Sequence, residues 1–339
     1  MALKQSIRVE VRERTDASEV RRQAMQTARA LGFGEEREGR VALLATELAG
    51  NLFKHAGGGE VLLRIVEEEA SPGIELLGLD RGPGMKDVGG CLRDGFSTAG
   101  TPGTGLGAMR RLSDQFDLHT HPGKGTAVLL RVFRKRPPRA GSFQAGAVCL
   151  PVAEEPVGGD AWAVAVSGSR GRLIVVDGLG HGPLAAEAAD AVLRAFWRGP
   201  FLDLEELFAF LHEASRHGRG AACSVGEMDL GAERIRFAGV GNVAGMVVHL
   251  DGEKRWMPRA GTLGAEKVRP GVQEVPWTPG TMLLLHSDGL TSRWSLDQYP
   301  GLTRRHPALQ AGVLYRDWAR GTDDVTVAAL KADQEEDGP

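Results

Sequence analysis

A short basic stretch with two prolines, RKRPPRAGS at Arg134–Ser142, divides the sequence into two parts. Pro137 and Pro138 cannot continue a helix or a central strand, and the arginines around them repel one another, so the stretch predicts a linker between domains. The alternative is a long surface loop within one domain. Complete sets of predicted elements on both sides favour the linker. The length of 339 residues also fits two domains, at roughly 150 residues each.

Composition excludes several classes of protein. Hydrophobic residues make up 42% and charged residues 25% of the chain, which is typical of globular proteins. A net charge of −3 gives no reason to expect nucleic-acid binding. Cys91, Cys149 and Cys223 lie far apart without a CxxC, which argues against a disulfide framework and a zinc site. The N-terminus lacks an apolar signal region, and no apolar run approaches the ~20 residues of a membrane span, so we expect a cytoplasmic protein.

The first part predicts helices followed by strands. Ile7, Val9 and Val11 alternate as in a strand, and Val41, Leu44, Leu48 and Leu52 form one apolar helix face. We expect helices at 18–31, 36–55 and 106–116, strands at 60–66 and 73–79, and a hairpin of 117–121 with 126–133. Helices that precede most of the strands predict a helical layer on a mixed sheet.

The second part is richer in strand patterns and predicts a β-sandwich flanked by helices. Its expected strands are 162–166, 172–176, 222–228, 234–238, 244–250, 282–285 and 325–330, and its expected helices are 183–197, 202–217 and 307–319. The acidic end after Ala332 predicts a solvated tail, residues 333–339.

One group of polar residues follows the long helix of the first part. Glu47 and Asn51 are four residues apart and share a helix face, although such a pair is usually a solvated surface. Asp80 directly follows an apolar strand, where its carboxylate can accept a hydrogen bond from an exocyclic amine. Gly82 and Gly84 would let the backbone approach a flat base.

A glycine-rich stretch, GTPGTGLG at 100–107, opens the next predicted helix. Exposed backbone N–H groups at a helix N-terminus form an anion site suited to phosphates, although most such loops are only flexible. Lys54 and Thr126 are candidates for further contacts.

In this order the motifs resemble the GHKL (Bergerat) ATP-binding domain. They are Glu47-x-x-x-Asn51, Asp80-x-Gly82-x-Gly84, Gly103-x-Gly105-x-Gly107 and Gly125-Thr126. Within that superfamily, residues 5–134 are most similar to the anti-sigma-factor serine kinases, particularly the stressosome switch kinase. The resemblance implies a Bergerat α/β sandwich, with Asn51 holding Mg²⁺, Asp80 reading the adenine amine and Glu47 orienting a substrate hydroxyl as a base.

The residues that the resemblance assigns to Mg-ATP are Asn51, Asp80, Gly82, Gly84, Gly103, Thr104, Gly105, Leu106, Gly107 and Thr126. No Walker GxxxxGK[ST] loop is present in the sequence. The sequence leaves open whether Glu47 supports phosphoryl transfer or the domain only binds nucleotide and a partner.

Four acidic positions of the second part each stand at a predicted strand end or entry: Asp160, Asp177, Asp288 and Asp323. A single Asp-Gly is more often a tight turn than a ligand. The four acidic residues together could converge on one edge of a sandwich, where their carboxylates would repel one another unless cations lay between them. Oxygen ligands favour Mg²⁺ or Mn²⁺ over zinc.

The same spacing resembles the metal-dependent Ser/Thr phosphatases of the protein phosphatase 2C class, in particular the SpoIIE/RsbX branch. The match covers about residues 144–332 and includes Gly239–Asn242. It implies a four-layer αββα β-sandwich with two Mn²⁺ or Mg²⁺ ions. Catalysis and metal binding would fall to Asp160, Asp177, the carbonyl of Gly178, Asp288 and Asp323. His181 is either a neighbour of the ligands, a proton donor or an ordinary turn histidine.

One feature of the eukaryotic enzymes has no convincing counterpart, namely the arginine that binds the substrate phosphate. Arg139, Arg170 and Arg219 are the candidates, and the alternative is that the metals hold the phosphate.

Together the resemblances imply two domains, 1–134 and 144–332, joined by the linker 135–143, with opposing activities on one partner-switching pathway. The first would phosphorylate a Ser or Thr of a STAS-domain protein with Mg-ATP, and the second would remove that phosphate. A nucleotide-dependent binding switch without kinase activity, fused to a phosphatase, is the alternative; a two-domain ATPase is a third reading. The first family also pairs through its sheet face, which would allow a homodimer.

Overall fold

The computed structural model describes residues 5–68, 71–92, 105–137, 142–153, 155–249, 252–265 and 269–333. By its contacts the chain forms two compact units. The first unit is Met1–Arg139 with Ser295–Arg305, and the second is Ala140–Trp294 with His306–Pro339. The linker and the domain limits named above stay predictions.

The first unit contains a five-stranded sheet in the order β1-β2-β3-β5-β4. Its strands are β1 (Ile7–Val11), β2 (Gly59–Glu68), β3 (Ser71–Leu79), β4 (Gln115–Thr120) and β5 (Thr126–Phe133). All of its strand pairs are antiparallel, so the prediction of a mixed sheet was wrong. Short connections between β2 and β3 and between β4 and β5 bring the chain straight back, which produces antiparallel neighbours.

The helices of this unit are α1 (Asp16–Ala30), α2 (Glu35–Ala56), α3 (Val88–Cys91) and α4 (Gly105–Leu112). The apolar faces of α1, α2 and α4 enclose one core with one face of the sheet. The predicted last helix is shorter than expected. It ends at Leu112 because the N–H of Asp114 donates to the carbonyl of Arg131 on β5, and Phe116 belongs to β4.

The second unit contains two five-stranded antiparallel sheets. The first sheet has the order β13-β10-β9-β8-β7 and consists of β7 (Asp160–Ser167), β8 (Arg170–Gly178), β9 (Ala221–Asp229), β10 (Arg234–Val240) and β13 (Gln273–Pro276). The second has the order β12-β11-β14-β15-β6 and consists of β6 (Phe143–Leu150), β11 (Ala244–His249), β12 (Gly252–Trp256), β14 (Met282–His286) and β15 (Val325–Ala332).

Helices cover both sheets of this unit and produce the expected αββα arrangement. The helices α5 (Pro183–Arg198) and α6 (Leu204–Ser215) pack on the first sheet, and α7 (Pro307–Trp318) packs on β6 and β15. A second apolar core lies between the sheets. The sequence patterns missed β6, β12 and β13. The strand β6 is fully buried only from its fourth residue onward, and β12 and β13 are short strands at sheet edges with mostly exposed side chains, so none shows a clear alternation.

Within the described residues, none of the helices combines the length and the apolar character required to cross a membrane.

Candidate nucleotide and phosphate sites

Asp80 directly follows β3 in the first unit, and backbone N–H groups fix the position of its carboxylate. Its Oδ1 accepts hydrogen bonds from the N–H of Gly82 (2.8 Å) and from the N–H of Thr126 (3.0 Å). The backbone N–H of Asp80 in turn donates to the carbonyl of Thr126 (3.0 Å). Two of these three hydrogen bonds therefore hold the predicted base-reading residue Asp80 against another predicted contact, Thr126, on the neighbouring strand.

The glycines around Asp80 are required by close backbone contacts. At Gly84 (φ +68°) an added Cβ would lie 2.2 Å from the carbonyl oxygen of His121, and at Gly125 (φ +76°) it would lie 2.0 Å from the carbonyl oxygen of Asp80. A Cβ at Gly82 would lie 2.6 Å from the Cβ of Ala56 on α2. Only glycine fits these positions, so the loop after β3 can pack tightly against the end of α2 and the β4–β5 turn.

Glu47 and Asn51 lie on α2, as predicted, and both are half-buried. The amide atoms of Asn51 lie 3.5 Å from the position of a Cβ on Gly105, the first residue of α4. Asn51 is therefore next to a helix N-terminus, where backbone N–H groups favour an anion. In the part of the chain that the structure describes, Glu47 makes no hydrogen bond or ion pair, which leaves its carboxylate available.

The remaining predicted contacts lie in the glycine-rich stretch and at the end of α2. Gly105, Leu106 and Gly107 form the first turn of α4, whereas Gly103 and Thr104 lie outside the described residues. Lys54 is exposed on the last turn of α2.

In the second unit, Asp160 and Asp177 face each other across neighbouring strands. Asp160 begins β7, Asp177 lies near the end of β8, and the two form a register pair. Asp160 is buried, and its Oδ2 accepts a hydrogen bond from the hydroxyl of Ser287 (2.6 Å). Burial, followed by the charge of Asp177, raises the pKa of Asp160 well above its usual range.

Asn242 joins two of the predicted ligands. Its Nδ2 donates to Oδ2 of Asp177 (3.0 Å) and to Oδ2 of Asp288 (2.8 Å), so the two carboxylates lie on either side of one amide. The pKa of Asp177 is raised to about 7, mainly by burial and also by the charges of Asp288 and Asp323, against the lowering effect of the Asn242 hydrogen bond. The carboxylates of Asp288 and Asp323 therefore lie close enough to Asp177 to change its pKa.

The two acidic residues that precede β15 have different roles. Asp324 is buried, and it accepts hydrogen bonds from the backbone N–H groups of Val152 (2.7 Å) and Gly159 (2.5 Å). Asp323 is exposed, and partial desolvation together with the charges of Asp288 and Asp324 raises its pKa. Asp324 therefore holds the loop before β7, whereas the carboxylate of Asp323 is exposed; its role as a metal ligand stays a prediction.

These residues fit a divalent cation in chemistry and in charge. The donors are carboxylate and carbonyl oxygens, which suit Mg²⁺ or Mn²⁺, and a cation would offset the burial and the mutual repulsion that raise the pKa of Asp160 and Asp177. Within the described residues, no three His, Cys, Asp or Glu side chains come close enough to hold an ion as they stand.

Gly178, the last residue of β8, and His181, in the loop after it, are two further residues predicted at this site. Gly178 lies so close to α5 that an added Cβ would be 2.1 Å from the carbonyl oxygen of Ala185. His181 is exposed, and its Nδ1 lies 2.8 Å from Oε1 of Glu155. When Nδ1 carries the proton that is donated to Glu155, Nε2 is the free nitrogen of the neutral ring.

Comparison with known proteins matches each of the two units to a family. Residues 11–132 match the histidine kinase-like ATPase domain. A stretch of 113 residues, 33% of this chain, is 34% identical to the serine/threonine-protein kinase RsbT of Bacillus subtilis (strain 168) and covers 85% of that protein. The chain belongs to the histidine kinase-like ATPase domain family. The unit with Asp80 and Asn51 is its GHKL-like domain.

Residues 167–333 match the family described as stage II sporulation protein E (SpoIIE), so the second unit carries a SpoIIE domain. A stretch of 117 residues, 34% of this chain, is 26% identical to the phosphoserine phosphatase RsbX of Bacillus subtilis (strain 168). The chain spans 59% of the length of RsbX.

Two solved structures share the fold. A chain described with the bacterial stressosome, "a modular system that has been adapted to control secondary messenger signaling", aligns with a TM-score of 0.53 and 24% identity, over 56% of this chain and 100% of its own. RsbX in complex with magnesium aligns with a TM-score of 0.52 and 19% identity, over 58% of this chain and 98% of its own. The predicted phosphatase 2C-like fold is confirmed.

Four residues of the second site were not among the predicted site residues: Glu155, Asn242, Ser287 and Asp324. Asn242 stands in the Gly239–Asn242 motif, and Ser287 and Asp324 each adjoin a predicted ligand, so the sequence contained a signal for these three. Glu155 had none, because its contact with His181 joins residues 26 positions apart.

Proposed function

We propose that this chain is a bifunctional regulator of a partner-switching pathway. The first unit phosphorylates a Ser or Thr of a STAS-domain, stressosome-type protein with Mg-ATP, and the second unit hydrolyses that phosphoester. The observation that carries the proposal is the acidic cluster around Asn242 on a SpoIIE domain in the same chain as an RsbT-like domain. The pathway is cytoplasmic in this proposal.

In the first unit, each proposed role follows from a position already described. The carboxylate of Asp80, oriented by two backbone N–H groups, accepts a hydrogen bond from the exocyclic amine of adenine. Asn51, beside the N-terminus of α4, holds Mg²⁺ against the phosphates. Glu47 lies one turn away on the same face of α2 and accepts the proton of the attacking hydroxyl.

In the second unit, Asp160, Asp177, Asp288, Asp323 and the carbonyl of Gly178 would hold two Mn²⁺ or Mg²⁺ ions. Such ions supply a water nucleophile and neutralise charge on the phosphoryl group. Ser287 keeps Asp160 oriented through its 2.6 Å hydrogen bond. His181, held by Glu155 through Nδ1 and carrying a second proton on Nε2, donates that Nε2 proton to the leaving serine or threonine oxygen.

Phosphate release from a phosphorylated STAS-domain protein in the presence of Mn²⁺ tests the phosphatase half. The wild type should release phosphate, Asp288→Ala should not, and Glu213→Ala, which removes an exposed carboxylate of α6, should behave as the wild type. No release by the wild type, or equal release by Asp288→Ala, would contradict the proposal.

A further inference from the structure

The proposed phosphatase site contains many negative charges, and its substrate is itself an anion. Those of its carboxylates that are ionised repel a phosphate monoester wherever cations do not fully offset their charge. An arginine at the site would attract the phosphate and orient it, since its planar guanidinium can donate two parallel hydrogen bonds to phosphate oxygens. The question is which arginine of this chain lies there.

Neither Arg139 nor Arg170, two of the three candidates from the sequence, can be assigned to this site. Arg139 lies outside the described residues. Arg170 begins β8, seven residues before Asp177, which corresponds to roughly 23 Å along an extended strand. Its guanidinium donates to Glu227 (2.7 Å) and lies over the ring of Phe201.

Arg219 lies beside the loop that follows Asp177. Its Nη1 is 3.0 Å from the position of a Cβ on Gly180, so the guanidinium rests against the backbone of that loop. The loop of Arg219 is also joined to it by the backbone, because the N–H of Leu179 donates to the carbonyl of Gly220 (3.1 Å). In register, Ala221 pairs with Gly178, the glycine whose carbonyl is a predicted metal ligand.

The donors of Arg219 are available. Its side chain is exposed, and within the described residues it makes no hydrogen bond or ion pair. Arg172, by contrast, is fully buried and donates to Glu227 and to the carbonyl of Leu202, as is usual for an arginine that stabilises the fold. A free guanidinium held at the rim of an acidic cluster is suited to binding an anion.

From this placement we propose that Arg219 binds the phosphoryl group of the substrate. The inference rests on the phosphatase activity proposed above. It assigns to Arg219 a role in substrate affinity, whereas the carboxylates retain the role of binding metal.

The test compares Arg219→Ala with the wild type on a phosphoserine peptide and with inorganic phosphate as inhibitor, in Mn²⁺. We expect KM for the peptide and the inhibition constant of phosphate to rise roughly tenfold to hundredfold, because a charged hydrogen-bonded pair is lost. The Kd of Mn²⁺, measured by calorimetry, should stay within about twofold. Arg219→Lys should recover part of the affinity, since it keeps the charge without the planar fork.

Arg216→Ala is the matched control. Arg216 is exposed in the same loop and pairs only with Glu213 among the described residues, so its loss should leave both constants unchanged. A changed Mn²⁺ affinity with an unchanged phosphate constant would assign Arg219 to the carboxylates and overturn the inference. Equal constants for Arg219→Ala and wild type would do the same. A wild type without activity would instead contradict the proposed phosphatase function itself.

Discussion

The two candidate sites of this chain are built on different physical principles. Around Asp80, the site depends on backbone shape: glycines at positive φ, N–H groups aimed at one carboxylate, and the start of a helix. Around Asp177, it depends on crowded charge: carboxylates on neighbouring strands whose pKa values rise because they are buried near one another. The first site should therefore be sensitive to added atoms, and the second to cations and protons.

The largest effect expected of a single change is on the charge-based site. Asp177→Asn should reduce phosphate release about 1,000-fold. Loss of a residue that only hydrogen-bonds to a metal ligand typically lowers metal affinity or activity about 10–100-fold, and loss of a ligand itself should lower activity more. It should also abolish the Mn²⁺-induced rise in the thermal midpoint of the second unit. Tryptophan fluorescence reports that midpoint, since all six tryptophans lie in this unit. Nucleotide binding should not change; a joint loss of both would contradict the separation of the sites.

Glu47→Ala separates the kinase proposal from a binding switch. Loss of a general base should reduce phosphoryl transfer to a STAS-domain protein at least about 100-fold, while the Kd of ATP stays within about twofold. Glu36→Ala, on the same helix in an exposed ion pair with Arg40, is the control and should transfer normally. If Glu47→Ala is as active as the control, or if the wild type transfers nothing but binds its partner, the binding switch is favoured.

Gly125→Ala tests the dependence of the first site on backbone shape. The new Cβ would collide with the carbonyl of Asp80, so we expect a loss of about 3 kcal/mol in stability and of ATP binding, measured by circular dichroism and calorimetry. Gly123→Ala is the matched control: its φ of +78° is similar, but nothing lies within 4 Å of its Cβ. The control should cost only about 1 kcal/mol. Equal effects would show that strain in φ, rather than the collision, decides.

His286 provides a smaller effect of pH on the second unit. Burial lowers its pKa from 6.5 to about 4, so the unfolded state binds a proton in this range before the folded state does. Stability from this group is therefore complete above pH 6.5 and falls as the pH decreases toward 4. Relative to His286→Gln, the wild type should lose about 2 kcal/mol between pH 7 and pH 5.

Urea unfolding followed by tryptophan fluorescence measures this difference. The comparison with His286→Gln is needed because the raised pKa of Asp177 acts in the opposite direction over the same range. A constant difference between wild type and variant across this range would contradict the burial argument.

The extent to which the sequence predicts the molecule depends on how local each feature is. Long apolar patterns identified α2, α5 and the central strands to within a few residues, because an element that buries one face has apolar residues at the period of that element. The mixed sheet was wrong because strand direction depends on connections rather than on strand patterns. The strands β12 and β13 were missed because edge strands need little burial.

The same distinction holds for the sites. Asp-Gly pairs at strand ends indicated Asp177 and Asp288, since their position follows from a local pattern. The family resemblance selected Asp323 rather than the adjacent Asp324 as a metal ligand, but the residue pattern itself gave no physical reason for that choice. In the fold, the N–H groups of Val152 and Gly159, which lie far away in the chain, bind the carboxylate of Asp324. Arg219 was one of three candidates until the fold placed it beside Gly180.

In our proposal, one chain adds and removes phosphate at the same residue of one partner. Mass spectrometry of a STAS-domain protein incubated with this protein, Mg-ATP and Mn²⁺ measures the phosphate occupancy of that residue. We predict one Ser or Thr that is fully phosphorylated with Asp288→Ala, unmodified with Asn51→Ala and partly phosphorylated with the wild type. Equal occupancy with the wild type and Asp288→Ala, or removal of phosphate from a different residue than the one modified, would contradict the account.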